Sequence, residues 1–459
     1  MSLASRLIEL AEDSWGSVFA SRASTERAVD HLIATASTMG RRTISRAVTA
    51  LGRCDQDWSA DYKLFSRSRW DARELYVPVM EQGVKLIGDG PIPIALDDTK
   101  LSKSGRNVPG AGWHRDPMSP PFHVNLRWGV RYLQASLLVR QACDGAEAGC
   151  RSLPIRFDPA PWIRKPGKRA TEEDRQAYRK AQKEHNLSRT GRQMLVELRQ
   201  NFDRLGGRGR VMIAAADGSF CNRALFGEPI DGVRLLARTR KDARLCYPAK
   251  PGKRGLYDAE IFTPQQVRLN CSIEWADTSV FYAGALRSIR YKECSGVLWR
   301  RGSGTRPLRL ITIAPQPYSA PGGGQSYRDP AYLLTDDLES PVSLLMQIYF
   351  DRWQIEVNHR EEKSFIGVGD AQLWSALSAA RHPTFQVASY SLILLASILE
   401  FGPARTNSYT PLPKWRKSAS RPSILDLLTR LRQDLCYEAQ GSIPMAPLTT
   451  ETLIRAAFT

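Results

Sequence analysis

Cysteine and histidine are scarce and scattered in this chain. The eight cysteines (54, 143, 150, 221, 246, 271, 294 and 436) form no C-x-x-C, and the six histidines form no H-E-x-x-H. A zinc ribbon, a disulfide framework and a zinc-protease helix are therefore excluded. Glu356-x-x-His359 has no second copy, which excludes a di-iron bundle. The "PGKR" sequences at 166 and 251 lack the spacing and the hydroxyl of a P-loop, and no G-x-S-x-G nucleophile elbow is present. Long hydrophobic runs are missing too. The longest, "VASYSLILLASILEF" at 387–401, falls short of the roughly 20 residues of a membrane span and reads as a buried helix. With Glu9, Glu12 and Asp13 in its first turns, the start does not have the form of a signal peptide, so a cytoplasmic, nucleoid-associated protein is expected.

What the chain has in excess is positive charge. Lys plus Arg number 65 against 47 Asp plus Glu, a net +18 with pI near 9.7, which favours a polyanionic partner such as nucleic acid. At 459 residues and 42% hydrophobic content, two to four domains with a sizeable core are expected.

Patterning along the chain divides it at 88, 231, 320 and 402. Residues 1–88 read as a helical N-terminal DNA-binding region, with "STERAVDHLIATASTM" and "RTISRAVTALG" separated by "GRR" as in a helix-turn-helix. Thr43 is placed to cap the second helix, with Arg41, Arg42 and Arg46 near its start. Residues 89–231 begin with "PIPIALDDT", a sheet-core strand ending in two aspartates. "FHVNLRWGVRYLQASLLVR" (122–140) is expected to form two strands with a turn between them. A long basic helix follows, starting with a Thr171–Asp174 capping box. "VMIAAADGSF" is another buried strand, with Asp217 at its C-terminal end. Residues 232–320 are almost wholly β in pattern and read as an inserted module. Residues 321–402 begin with a flexible "PGGGQ" and include a helix starting near Ser340, with Pro341 in its first turn. Residues 403–459 form a basic loop and an amphipathic helix, for dimerisation or DNA contact. The class is α/β.

"YFDRWQIEVNHREEK" at 349–363 carries the densest chemistry. At about 100° per residue, Tyr349, Arg352, Glu356 and Lys363 share one narrow helical stripe, while Glu361 and Glu362 point away from it. Two strand-end aspartates and a helix glutamate, distant in sequence, form an all-oxygen set suited to Mg²⁺ or Mn²⁺, and paired ions on such a set serve phosphoryl transfer.

The order strand-Asp-Thr, strand-Asp-Gly, β insertion, then Tyr-x2-Arg-x3-Glu-x6-Lys resembles the cut-and-paste DDE transposases of bacterial insertion sequences, in the branch with a Tyr-Arg-Glu-Lys signature. "RDPMSPPFHVNL" and "FDRWQIE" share the family's look, and the likeness runs from about residue 40 to 400. It implies an RNase H-like mixed-sheet catalytic core interrupted by the all-β insertion. Asp98, Asp217 and Glu356 are the implied catalytic residues and metal ligands, holding two Mg²⁺ ions for which Mn²⁺ can substitute. The family's first acid immediately precedes Thr, which selects Asp98 over Asp97; strand alternation alone leaves both open. Tyr349, Arg352 and Lys363 are implied to hold the phosphates beside the cut, and Trp353 matches a family aromatic position. Arg46 is a further DNA-binding candidate. Trp275 and Trp299 are candidate base platforms, Lys100 and Arg106 candidate backbone contacts, and His114 lies nearby without a role. The implied partners are double-stranded DNA, as transposon ends and target, and a second copy of the chain in a homodimer. The alternatives are a domesticated non-catalytic DNA-binding protein and a stand-alone metal-dependent nuclease.

Overall fold

The computed structural model describes residues 1–116, 119–120, 122–140, 149–160, 162–319, 323–416 and 419–440. Cys143 and parts of "RDPMSPPFHVNL", of "PGGGQ" and of the basic C-terminal loop, together with residues 441–459, lie outside the described residues. Five helices open the chain: α1 (Leu3–Trp15), α2 (Arg22–Ser37), α3 (Ile44–Ala50), α4 (Ser59–Ser66) and α5 (Val77–Leu86). Ser2, Ser21 and Thr43 cap the first three, each accepting from a backbone N–H three residues on, which satisfies donors the helix leaves orphaned.

The sheet begins with β1 (Ile92–Ser102), β2 (Gly112–Arg115), β3 (Leu126–Arg140) and β4 (Cys150–Pro159). Where two strands were expected, β3 is a single strand, and Gly129 is the reason. It sits opposite Ser102, and a Cβ there would lie 2.3 Å from the Leu101 carbonyl oxygen. The glycine thus permits close backbone approach inside a strand instead of making a turn. Gly129→Ala is expected to cost about 1–3 kcal/mol, because the obstacle is backbone and cannot swing away. A fall in the urea midpoint at unchanged m-value would show it.

Next come α6 (Glu172–Glu184) and α7 (Leu187–Arg204). The Thr171–Asp174 capping box is present, but the expected long helix is two, because Asn186 accepts from the Arg189 N–H and starts a new one. Then β5 (Met212–Ala216), α8 (Arg223–Phe226) and β6 (Val233–Arg238) complete the central strands. β1 pairs antiparallel with β3 and parallel with β5, β5 pairs parallel with β6, and β3 pairs antiparallel with β4. The order β4-β3-β1-β5-β6 therefore puts β1 and β5 side by side at the centre, with Leu96 opposite Ala216.

The expected β module at 232–320 opens with β6 and continues with β7 (Leu245–Pro248), β8 (Tyr257–Phe262), a helical turn α9 (Pro264–Leu269), β9 (Ala276–Tyr282), β10 (Ala285–Leu298), β11 (Pro307–Ile313) and β12 (Pro317–Ser319). Two more strands, β13 (Gln325–Tyr327) and β14 (Ala331–Thr335), follow. β14 pairs with both β6 and β11, so most of the module prolongs the central sheet, in the order β6-β14-β11-β10-β7-β8.

The last helices are α10 (Val342–Asp351), α11 (Gln354–Phe365), α12 (Ala376–Phe401) and α13 (Ile424–Gln440). One core joins Ile94, Leu96, Leu133 and Ala216 to α1, α2, α5, α7, α12 and α13. A second core joins Ala95, Ile213, Ala215 and Leu236 to Leu345, Ile348 and Ile355 of α10 and α11. Alternate residues of β1 and β5 thus enter different cores, as pleating requires. α12 alone among the described residues is long and apolar enough to cross a membrane, yet 83% of its apolar window is buried in the protein, matching the expected core helix. Its packing against α1 and β4 ties the N-terminal helix to the sheet.

Candidate active site

Pleating decides what faces what at the sheet centre. Ala95 and Asp97 share one face of β1, as do Ile213 and Ala215 of β5 with Asp217 just beyond the strand's end. That face is the one α10 and α11 cover. Asp97 and Asp217 consequently reach the same side from adjacent parallel strands. Asp98 has the opposite parity: its carboxylate lies in the fork of Arg131, with Nε–Oδ2 and Nη2–Oδ1 at 2.6 and 2.7 Å. A bidentate pair of this type fixes orientation as well as charge.

Arg352 joins the acids. It contacts Asp97 at 3.6 Å (Nη1–Oδ2) and donates from Nη2 to Glu356 Oε1 at 3.1 Å. Its Nε and Nη1 are buried and make no hydrogen bond, and its guanidinium lies 6.0 Å from the centre of the Tyr349 ring. The stripe is not one continuous helix. α10 ends at Asp351 and α11 starts at Gln354, joined by short bonds from Trp353 N–H to Phe350 O (3.3 Å) and from Glu356 N–H to Trp353 O (3.1 Å). Arg352 and Trp353 keep right-handed helical angles, so Tyr349, Arg352 and Glu356 still face the same side.

The electrostatics are those of acids short of cations. Burial raises the Asp97 carboxyl from 3.8 to about 7, with Arg352 opposing and Asp217 adding to the rise. Glu356 is raised by burial, against Arg352, and again by Asp217. Asp217 Oδ1 accepts from the Ser219 N–H (2.9 Å) and Oγ (2.6 Å), so its aspartate turn and its place beside the other acids coexist. Among the described residues no group of three or more His, Cys, Asp and Glu side chains is close enough to hold a metal ion. The Arg352 guanidinium stands between Asp97 and Glu356 instead.

The remaining candidates fall in different places. Lys363 is exposed and neighbours Glu362, Arg127, Asp98 and Asp97. Trp353 is 58% exposed beside the acids. Trp299 packs edge-on against Phe226 at 6.1 Å, and Trp275 lies under Lys292 and Arg290, so neither is a free platform. Lys100 donates to the Arg115 carbonyl. Of the N-terminal arginines, Arg42 is buried and donates to the Thr35 and Gly40 carbonyls, Arg41 reaches the Asp370 carbonyl, and Arg46 stays partly exposed on α3. Two neighbours of the acids carried little signal in the sequence: Arg131, seen only through strand pairing, and the exposed Arg238 at the end of β6, which bears on Tyr349.

Glu361 and Glu362 do leave the stripe, but they go into the protein. Glu361 accepts from Tyr390 Oη at 2.6 Å, and Glu362 is 1% exposed. Burial lifts Glu362 from 4.5 to about 8, with Gln134 opposing. The folded chain thus keeps a proton that the unfolded chain releases, so stability falls as pH rises from about 4.5 to 8. Glu362→Gln removes that linkage and should flatten the decline of melting temperature between about pH 6 and 8. An unchanged slope would refute this origin.

Residues 17–268 match the family described as DDE superfamily endonuclease, a span of more than half the chain. The chain belongs to that family. No curated protein matches it. Membership makes this DDE endonuclease a DNA-processing enzyme of the nuclease and transposase kind. The matched span contains Asp97, Asp98 and Asp217 and ends before Glu356, so the third acid rests on the geometry around Arg352.

Proposed function

We propose that the chain is a cut-and-paste transposase. It binds the terminal inverted repeats of its element, pairs two ends as a homodimer, and cleaves and joins DNA strands with divalent metal. The observation that carries this reading is the approach of Asp97 and Asp217, from one face of neighbouring parallel strands, to Glu356 beside a shared Arg352. On this reading β4-β3-β1-β5 belongs to an RNase H-like core, and residues 232–320, whose first strand is β6, are its insertion.

Asp97 takes the first acidic position, in place of the Asp98 expected from the following Thr99, because Asp98 faces Arg131 across the other side of the strand. The donor set is all oxygen, the chemistry that two Mg²⁺ ions, or Mn²⁺ as substitute, would take, and burial raises the proton affinity of Asp97 and Glu356, which neutralisation would relieve. Bound there, such ions supply an activated water and balance charge at the leaving oxygen. The chain's own cations position the strand. Arg352, whose Nε has no hydrogen-bond partner, supplies a guanidinium beside the acids, Tyr349 a hydroxyl, and Lys363 and Arg238 exposed positive charge at the rim. Trp353 is exposed for contact with a base, and Arg46, partly exposed on α3, is the candidate for contact with flanking DNA.

Incubation with end-bearing duplex, Mg²⁺ and a target plasmid tests the proposal. Integration is expected; cleavage alone would make the chain a nuclease, and binding alone a domesticated DNA-binding protein. Binding should weaken steeply with salt by counterion release. A log–log slope near zero would remove DNA as the main partner.

A further inference from the structure

Beside the Arg131–Asp98 pair a cleft of about 1010 Å³ opens between the β2–β3 hairpin, the segment after β4 and the α6–α7 joint. Three tryptophans build its walls. Trp113, 63% exposed, meets Trp128 edge-on at 5.5 Å, and Trp128 is fixed by its Nε1–H donating to the Gly105 carbonyl at 3.0 Å. Trp162 lies directly on the backbone of Gly112, where a Cβ would come within 2.0 Å of its ring. Arg106, Arg164 and Lys165 rim the opening, and among the described residues no aspartate or glutamate lines it. At the floor, His114 has a buried Nε2 without a hydrogen-bond partner, and Arg131 grips Asp98.

Indole faces together with unopposed cations describe an anionic, flat ligand. A phosphate alone has no use for three indoles, and a base within a duplex has both faces covered by its neighbours. We propose that the cleft binds a nucleoside phosphate, in the form of an unpaired nucleotide of the DNA strand that crosses the neighbouring acids; the choice of strand over free nucleotide rests on the transposase reading. Stacking on Trp113 and Trp162 holds the base, while Arg164 and Lys165 hold its phosphates.

The test is fluorescence anisotropy of the full chain in EDTA, with a labelled twelve-nucleotide oligothymidine, a blunt duplex of the same length, and dTMP as competitor. Trp113→Ala and Trp162→Ala should each weaken single-strand binding about tenfold and change duplex binding less than twofold. The exposed pair Arg164→Ala/Lys165→Ala, which leaves the walls intact, should lower the single-strand salt slope by about 1.4. Competition by dTMP at concentrations matched per nucleotide would keep the cleft but assign it to free nucleotides. Equal losses for both DNA forms, or no loss, would overturn the proposal. Cleavage that persists without any tryptophan dependence defeats the cleft alone. Tryptophan-dependent strand binding in a chain that never cleaves defeats the transposase reading alone.

Discussion

Asp97→Asn is expected to lower metal-dependent DNA cleavage at least about a thousandfold, the consequence of losing several kcal/mol of transition-state charge stabilisation. Asp98→Asn is expected to cost far less. Asparagine keeps the volume of Asp97 and relieves its burial, so the fold should tolerate the change. What goes is the charge facing Asp217 and Arg352. Asp98 is spent on Arg131 through two short hydrogen bonds, and its amide variant leaves Arg131 underpaired and β1–β3 less stable by roughly 1–3 kcal/mol. The effects thus separate into chemistry for Asp97 and stability for Asp98. Single-turnover cleavage and urea titration on both variants decide it. If Asp98→Asn were the inactive, stably folded variant, the alternation of Ala95 and Asp97 toward α10 and α11 would not describe the working site.

The second large effect belongs to Glu356. Glu356→Gln keeps side-chain length and can still accept from Arg352 Nη2, but it removes one anionic oxygen donor. Cleavage and strand transfer should both fall by at least about a thousandfold, with end binding unchanged or slightly tighter because a charge that repels phosphate is gone. Arg352→Ala should act differently. It removes the cation between Asp97 and Glu356 and the donors available to a phosphate, so binding and cleavage should fall together. The control on the same helix is the exposed Arg360, whose change to Gln should alter cleavage less than twofold. Glu361 cannot serve, since it is buried against Tyr390. Cleavage retained by Glu356→Gln in a gel assay would end the assignment of the third acid.

Several elements were legible from residue order alone, because their causes are local. Thr171 and Asp174 close a capping box within one turn, Thr43 caps α3, and the β-branched and aromatic runs after residue 232 form strands wherever they pair. The net charge and the three separated acids likewise pointed to phosphate chemistry before any contact was known. The all-apolar stretch before Asp97 could not reveal which aspartate faces which side. A strand buried on both faces shows no alternation: Ile94 and Leu96 go to one core and Ala95 to the other. The family habit of an acid before Thr chose Asp98; only the covering of one face by α10 and α11 favours Asp97.

The same reason governs the other differences. A helical wheel showed correctly that Glu361 and Glu362 leave the Glu356 stripe, but α11 is covered on that side as well, by α12 and the sheet. The turn expected within 122–140 is absent, and the demand that shapes Gly129 comes from Leu101, 28 residues away in sequence. Trp113, Trp128 and Trp162 are unremarkable in order and become one cleft only when β2 pairs with β3 and the segment after β4 folds over Gly112. Sequence by itself determined the capped helix starts at Thr43 and Thr171, the strand-forming runs after residue 232 and which acids are present, since propensity, capping and charge act over a few residues. Tertiary structure decided which side of each strand holds solvent, core or site, because facing depends on what packs against an element and nothing within the element records it.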